Sequence, residues 1–197
     1  MYIIPKKILL IGDIGVGKTS ILTQYFNNYF SEVTEPTKGI EFKTKIFQRK
    51  NFKIKLQTWD TSGQEKFKSI TKNYFREADG LLYVFDVTNE ISYNNIKNWL
   101  KLSKENNNKK NFIKILIGNK IDLGGRKIAR NDMETFIKVN GMNKLYEVSA
   151  KKDEKGISKM FEEIVDLLII PNIESSDEKY EEVSEDRGGL CGSCIIN

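Results

Sequence analysis

Gly12-Asp-Ile-Gly-Val-Gly-Lys-Thr19 fits G-x-x-x-x-G-K-[ST], and what flanks it decides how the chain folds. Residues 8–11 ahead of it are continuously apolar and read as a buried strand. Behind it a helix is predicted over about residues 18–26. Strand, glycine loop and helix in that order make a phosphate cradle. The glycines let backbone N–H groups curl around phosphate oxygens, and the helix N-terminus adds positive potential. Gly15, Val16, Gly17, Lys18, Thr19 and Ser20 are therefore expected to hold a magnesium–nucleoside triphosphate. Lys18 would reach the β- and γ-phosphates, and the Thr19 hydroxyl would ligate the metal.

Working outward, residues 40–47 and 53–59 read as two strands joined by a turn near 50–51. Residues 81–87 and 113–118 are near-continuous apolar runs, which suit a sheet covered on both faces. Ile96, Trp99 and Leu100 carry helical spacing between them. Ile157, Met160, Phe161, Ile164, Val165 and Leu168 form a long i, i+3, i+4 stripe, expected to pack on the sheet. This alternation predicts a three-layer α/β domain over residues 1–170, with a mostly parallel sheet whose ligands sit at the carboxyl ends of the strands. From 171 to 197 the pattern stops and Ser, Glu and Asp dominate, which reads as a disordered acidic tail.

Composition narrows the chemistry. The 197 residues contain no histidine, which excludes His general bases, His metal ligands and His-driven pH switching. The two cysteines, Cys191 and Cys194, both lie in the tail, so the folded body has no disulfide. No apolar run approaches a membrane span, and Tyr at position 2 excludes N-myristoylation. Seven acids and two bases after Pro171 give that segment −5 and leave +10 on residues 1–171, within a total of +5. No stretch interleaves those bases with aromatics, so they read as a solvated surface and no nucleic-acid partner is expected.

Asp60 ends an apolar strand and is the natural further partner of the metal. Asp86 also follows such a strand, and spacing alone does not rank the two. Gly63 offers an unhindered N–H to a γ-phosphate, and Gln64, which both donates and accepts, is placed to orient an attacking water. Two polar clusters follow later strands, Gly118-Asn-Lys-Ile-Asp122 and Val148-Ser-Ala-Lys151. Asp122 can accept paired hydrogen bonds from guanine N1–H and N2–H₂, a pair adenine lacks, and the Lys120 stem can cover the base.

With Trp59-Asp-Thr-Ser-Gly-Gln-Glu65, Asn119-Lys-Ile-Asp122 and Ser149-Ala-Lys151 in order after the glycine loop, residues 6–168 resemble the Ras-like small GTPases, and among them the Rab family. The resemblance implies a P-loop NTPase fold, a six-stranded sheet with helices on both faces, and a GTP/GDP switch that hydrolyses GTP slowly in vesicle traffic. It implies that Thr37 ligates magnesium only when a γ-phosphate is present, that Phe30 flanks the base, and that the Ala150 N–H meets guanine O6. It makes Asn119, Ser149 and Lys151 part of the base site. Lys38-Gly-Ile-Glu-Phe42 and the aromatic trio Phe42, Trp59 and Tyr74 look like the Rab effector surface; core filler is the bland reading of the trio. Implied partners are an exchange factor, effectors, a prenylated-protein escort and a GTPase-activating protein supplying an arginine in trans. The implied state is a monomer on the cytoplasmic face of intracellular membranes, cycling with cytosol.

Three residues depart from the family pattern. Ser62 replaces a usual Ala. Ile14 puts a bulky side chain in the loop, and Lys38 puts a charge where effectors meet an apolar group. A nucleotide-binding switch with little or no hydrolysis is the alternative that Ile14 leaves open. The chain ends Cys191-Gly-Ser-Cys194-Ile-Ile-Asn197; its last four residues have a C-a-a-X shape, so Cys194 and Cys191 are expected lipidation sites, with metal binding or a disulfide as the other readings.

Overall fold

The computed structural model describes residues 2–32, 40–61 and 74–173. Six strands form one sheet: β1 (Tyr2–Ile11), β2 (Ile40–Gln48), β3 (Phe52–Thr61), β4 (Gly80–Asp86), β5 (Ile113–Asn119) and β6 (Lys144–Glu147). Their order is β2-β3-β1-β4-β5-β6. Only the β2–β3 pair is antiparallel, as a tight reversal requires; every other pair is parallel. The helices are α1 (Lys18–Asn27), the short α2 (Glu90–Asn94), α3 (Ile96–Asn106), α4 (Arg130–Val139) and α5 (Glu154–Ile173).

Both faces of the sheet are covered, as the near-continuous apolar runs require. All seven residues of β4 are buried. On one face α1 and α5 close over Ile8, Leu10, Leu82, Val84 and Ile115. The entire stripe from Ile157 to Leu168 is buried there, each side chain contributing about 1.5–3 kcal/mol. Tyr25 of α1 stacks on Phe161 of α5, ring centroids 3.9 Å apart. On the other face Ile96, Trp99 and Leu100 of α3, with Met133 and Phe136 of α4, cover Leu9, Ile11, Tyr83 and Leu116.

Two boundaries differ from the sequence reading. β1 begins at Tyr2, not at residue 8, because β3 pairs with it from Tyr2 onward while β4 joins only at Ile8. Pro5 falls in the stretch where β1 has only β3 beside it, an edge position of the kind proline tolerates. At the other end α5 runs through Pro171 to Ile173, past the end of the apolar stripe at Leu168. Proline there lacks the N–H that would bond the carbonyl four residues back, so the last turn is short of one ladder bond.

Parallel register brings the functional loops to one end. Leu10 pairs with Asp60 and Asp86 with Asn119, so Gly12, Asp60, Asp86 and Asn119 all emerge at the carboxyl ends of adjacent strands.

Candidate nucleotide site

The glycine loop leaves β1 at Gly12 and enters α1 at Lys18. Lys18 is 5% exposed, and its ammonium donates to the carbonyls of Gly12 and Asp13, each at 2.8 Å. An ammonium has three donors, so one more remains for a phosphate oxygen. Burial pushes the Lys18 pKa down to about 8, against the opposing pull of the Asp60 and Asp13 carboxylates. A bound polyphosphate would supply negative charge that offsets the desolvation.

Thr19 Oγ1 donates to Asp60 Oδ2 at 2.7 Å. Asp60 is 6% exposed, and its other oxygen, Oδ1, is buried with no hydrogen-bond partner among the described residues. Burial raises the Asp60 pKa, with the Thr19 hydrogen bond and the Lys18 charge acting the other way. A buried carboxylate oxygen left unsatisfied beside a hydroxyl is a set of hard oxygen donors, the chemistry that suits magnesium. No group of three or more His, Cys, Asp or Glu gathers among the described residues. A magnesium that keeps waters and takes phosphate oxygens needs no such cluster. Asp86, the other candidate, is engaged differently. Asp86 Oδ1 accepts from the Thr88 N–H and hydroxyl at 2.8 and 2.7 Å, and Oδ2 pairs with Lys120 at 2.8 Å.

The base side is built on β5 and the loop after β6. Asn119, 1% exposed, donates from Nδ2 to the Val16 carbonyl at 2.9 Å and accepts the Ala150 N–H at 3.2 Å. It thereby ties the phosphate loop to the base loop. Gly17 sits at φ +94°, and any Cβ there would collide with the Asn119 amide. Ser149 Oγ donates to Asp122 Oδ1 at 2.6 Å and accepts the Lys152 N–H at 2.9 Å, which holds the Asp122 carboxylate in place. Lys151 pairs with Glu32 at 2.5 Å and lies 6.0 Å from the Phe30 ring centroid, so Phe30 and Lys151 stand together beside Ala150. Lys120 adopts φ +67°, turned back toward Asp86.

Away from this site Phe42 stacks on Trp59, centroids 4.8 Å apart, and Trp59 meets Tyr74 at 5.2 Å. Phe42 is 56% exposed, whereas Trp59 and Tyr74 are half-buried against the core, so core filling accounts for two of the trio and not for Phe42. Ile14 is 54% exposed at the crest of the loop. Thr37, Lys38, Ser62, Gly63, Gln64, Cys191 and Cys194 lie outside the described residues.

The Ras family model matches residues 7–169. The chain is 36% identical to Ras-related protein Rab-10 of Caenorhabditis elegans, across 95% of this chain and 94% of that one. It is 35% identical to Ras-related protein Rab-18-B of Danio rerio, across 94% and 93%, and 42% identical to Ras-related protein Rab-1 of Theileria parva, across 82% and 73%. The chain belongs to the Rab group of the Ras family. As a Rab-like small GTPase it binds guanine nucleotide, hydrolyses GTP and acts with regulators and effectors in vesicle traffic.

This Rab-like chain also holds contacts that spacing did not reveal. Asp13, inside the phosphate loop, accepts from Asn95 Nδ2 at 2.7 Å and from Trp99 Nε1 at 2.8 Å, both from the α3 side. The one sequence signal was an acid placed within a loop built for anions. The Asp86–Lys120 pair had none, because 34 residues separate its members.

Proposed function

We propose that Lys18, Thr19, Asp60, Asn119, Asp122, Ala150 and the loop amides of residues 15–20 form a magnesium–GTP site, with Thr37, Gly63 and Gln64 completing it as the two switches. The observation that carries this reading is the Asn119 side chain. Its hydrogen bonds to Val16 and Ala150 join phosphate and base loops into one continuous cradle. Asp122, oriented by Ser149, accepts the guanine N1–H and N2–H₂. Phe30 and Lys120 flank the base, and Lys151 supports that wall.

Magnesium, held by Thr19, Thr37 and water between it and Asp60, would neutralise charge on the β- and γ-phosphates. Gln64 holds a water in line with the γ-phosphate. As the water attacks phosphorus, the bond to the β–γ bridging oxygen breaks, and Lys18 and the loop amides stabilise the charge left on GDP. Positions 27–45 contain no arginine, so none sits on the first switch to act in cis. An activating protein supplying one in trans would raise the rate by roughly 10³–10⁵. After hydrolysis Thr37 and Gly63 lose their γ-phosphate contacts and both switches release. An exchange factor then reloads the site.

Phe42, Trp59 and Tyr74, with Lys38, form the effector surface; their rings already lie in contact. Residues 1–170 make the GTPase domain, and 171–197 a tail lipidated at Cys194 and Cys191. The acidic tail repels anionic lipid and one chain binds only marginally. Two lipids, or one lipid with an escort protein, therefore place the monomer on the cytoplasmic face of intracellular membranes. Single-turnover hydrolysis tests the centre of this reading. Gln64→Leu should slow both intrinsic and activator-stimulated turnover, and unchanged rates would remove Gln64 from the mechanism. Mass spectrometry of protein from its own cell should find Cys194 modified; an unmodified thiol ends the anchor proposal.

A further inference from the structure

We propose that Asp13 is the positioning residue for Lys18, and that α3 sets the placement of that lysine through it. The inference rests on the nucleotide site proposed above. A negative charge inside a phosphate-binding loop opposes the ligand unless it is turned away and its oxygens are held elsewhere. Asp13 is turned toward α3, where neutral donors hold both of its oxygens. Oδ1 accepts the indole N–H of Trp99 at 2.8 Å, and Oδ2 accepts Nδ2 of Asn95 at 2.7 Å. The backbone carbonyl of the same residue, with that of Gly12, accepts the Lys18 ammonium. Asp13 therefore has its side chain fixed to a helix and its carbonyl fixed to the lysine that would meet the phosphates.

The partners are committed to this contact. Trp99 is 3% exposed and is held in the core by its ring, which leaves the indole N–H little freedom to follow a moving loop. Asn95 stands at the N-cap of α3, where an amide oxygen ordinarily accepts a helix N–H. Here it makes no such cap; its Oδ1 accepts from Asn98 at 3.3 Å, and Nδ2 is thereby directed to Asp13. Both donors facing Asp13 are N–H groups, so the residue must present two acceptors. A carboxylate does, whereas an asparagine would set an NH₂ against one of them. This is the physical reason for an acid at a site where charge alone disfavours it.

The test uses full-length protein loaded with GDP. Trp99→Phe removes the indole donor together with part of the ring volume; Asp13→Asn removes one acceptor. Leu102→Ala, in the same cleft beside α3, serves as the control for loss of packing. Two quantities are read: the release rate of a fluorescent GDP, and the phosphorus NMR shifts of bound GDP. Both variants should release GDP about tenfold faster, the order of one charge-assisted hydrogen bond. Both should move the β-phosphate resonance, which senses the Lys18 ammonium, while the α-phosphate resonance stays. The control should lower the melting temperature without moving the β-phosphate signal. If release in the two variants tracks only melting temperature and the β-phosphate resonance is unmoved, Asp13 is a structural residue and the inference fails. Wild-type protein giving no bound-GDP signals would instead overturn the nucleotide site, and this inference with it.

Discussion

At Gly17 a single hydrogen separates a working loop from a blocked one. The residue combines φ +94° with close approach to the Asn119 amide, so Gly17→Ala meets both backbone strain and a collision. It should cost about 1–3 kcal/mol of stability and weaken GDP binding, read by thermal melting and by equilibrium titration with fluorescent GDP. The Asp86 carboxylate makes a second prediction at this scale. Burial alone would raise its pKa, but the hydrogen bonds from Lys120 and Thr88 and the Lys120 charge outweigh that and hold it below the usual carboxylate value. A depressed carboxyl stabilises the fold above its unfolded pKa, and that contribution is lost as pH falls through the folded one. Asp86→Asn should therefore be less stable than wild type by a constant margin at neutral pH. The margin should shrink below about pH 4, which urea unfolding at a series of pH values would check.

Among the elements, α5 shows how packing and charge differ in weight. Its Phe161 stacks on Tyr25 in the core, while its Asp166 and Glu162 hold Arg49 of the β2–β3 turn at 2.8 and 3.2 Å near the surface. Phe161→Ala should cost about 3–5 kcal/mol. Arg49→Ala should cost under about 1 kcal/mol despite breaking two ion pairs, because exposed charges are solvated either way. Denaturant melts of the two variants decide the ranking. The same contrast explains what the sequence made legible. The stripe on α5 and the solid runs of β4 and β5 are readable because burial on a sheet imposes a period or a continuous run. β6 carries no such mark: Lys-Leu-Tyr-Glu is partly buried at every position with neither a period nor an apolar run, and pairing with β5 makes it a strand. α4 rests on Met133 and Phe136 alone as buried anchors, too few to announce a helix. Within the site, Lys18, Thr19, Asn119 and Asp122 were readable because contiguous motifs carry them. The grip of Asn95 and Trp99 on Asp13 was not, since it joins residues more than 80 positions apart and exists only once α3 has docked.

For the whole molecule, the buried apolar residues described run as far as Ile169. A chain ending at Ile173 should melt within about 0.5 kcal/mol of the full-length protein and bind GDP equally well. It should no longer float with vesicles after expression in a prenylating cell; flotation undiminished by the truncation would place the membrane contact in the domain instead. The sheet itself sets a different requirement on the molecule. β2 is its outermost strand on one side, nine residues long, with Phe42 and Ile46 both more than half exposed. A long outer strand with exposed apolar side chains is a template on which a second copy can add a strand, and repetition of that step seeds fibrils. Lys43 and Lys45 sit on this same strand, their ammonium groups 5.6 and 4.2 Å from the ring centroids of Phe26 and Tyr25. Two β2 strands brought edge to edge would press four lysines together, so the side chains that lie over Phe26 and Tyr25 also guard this edge against self-association.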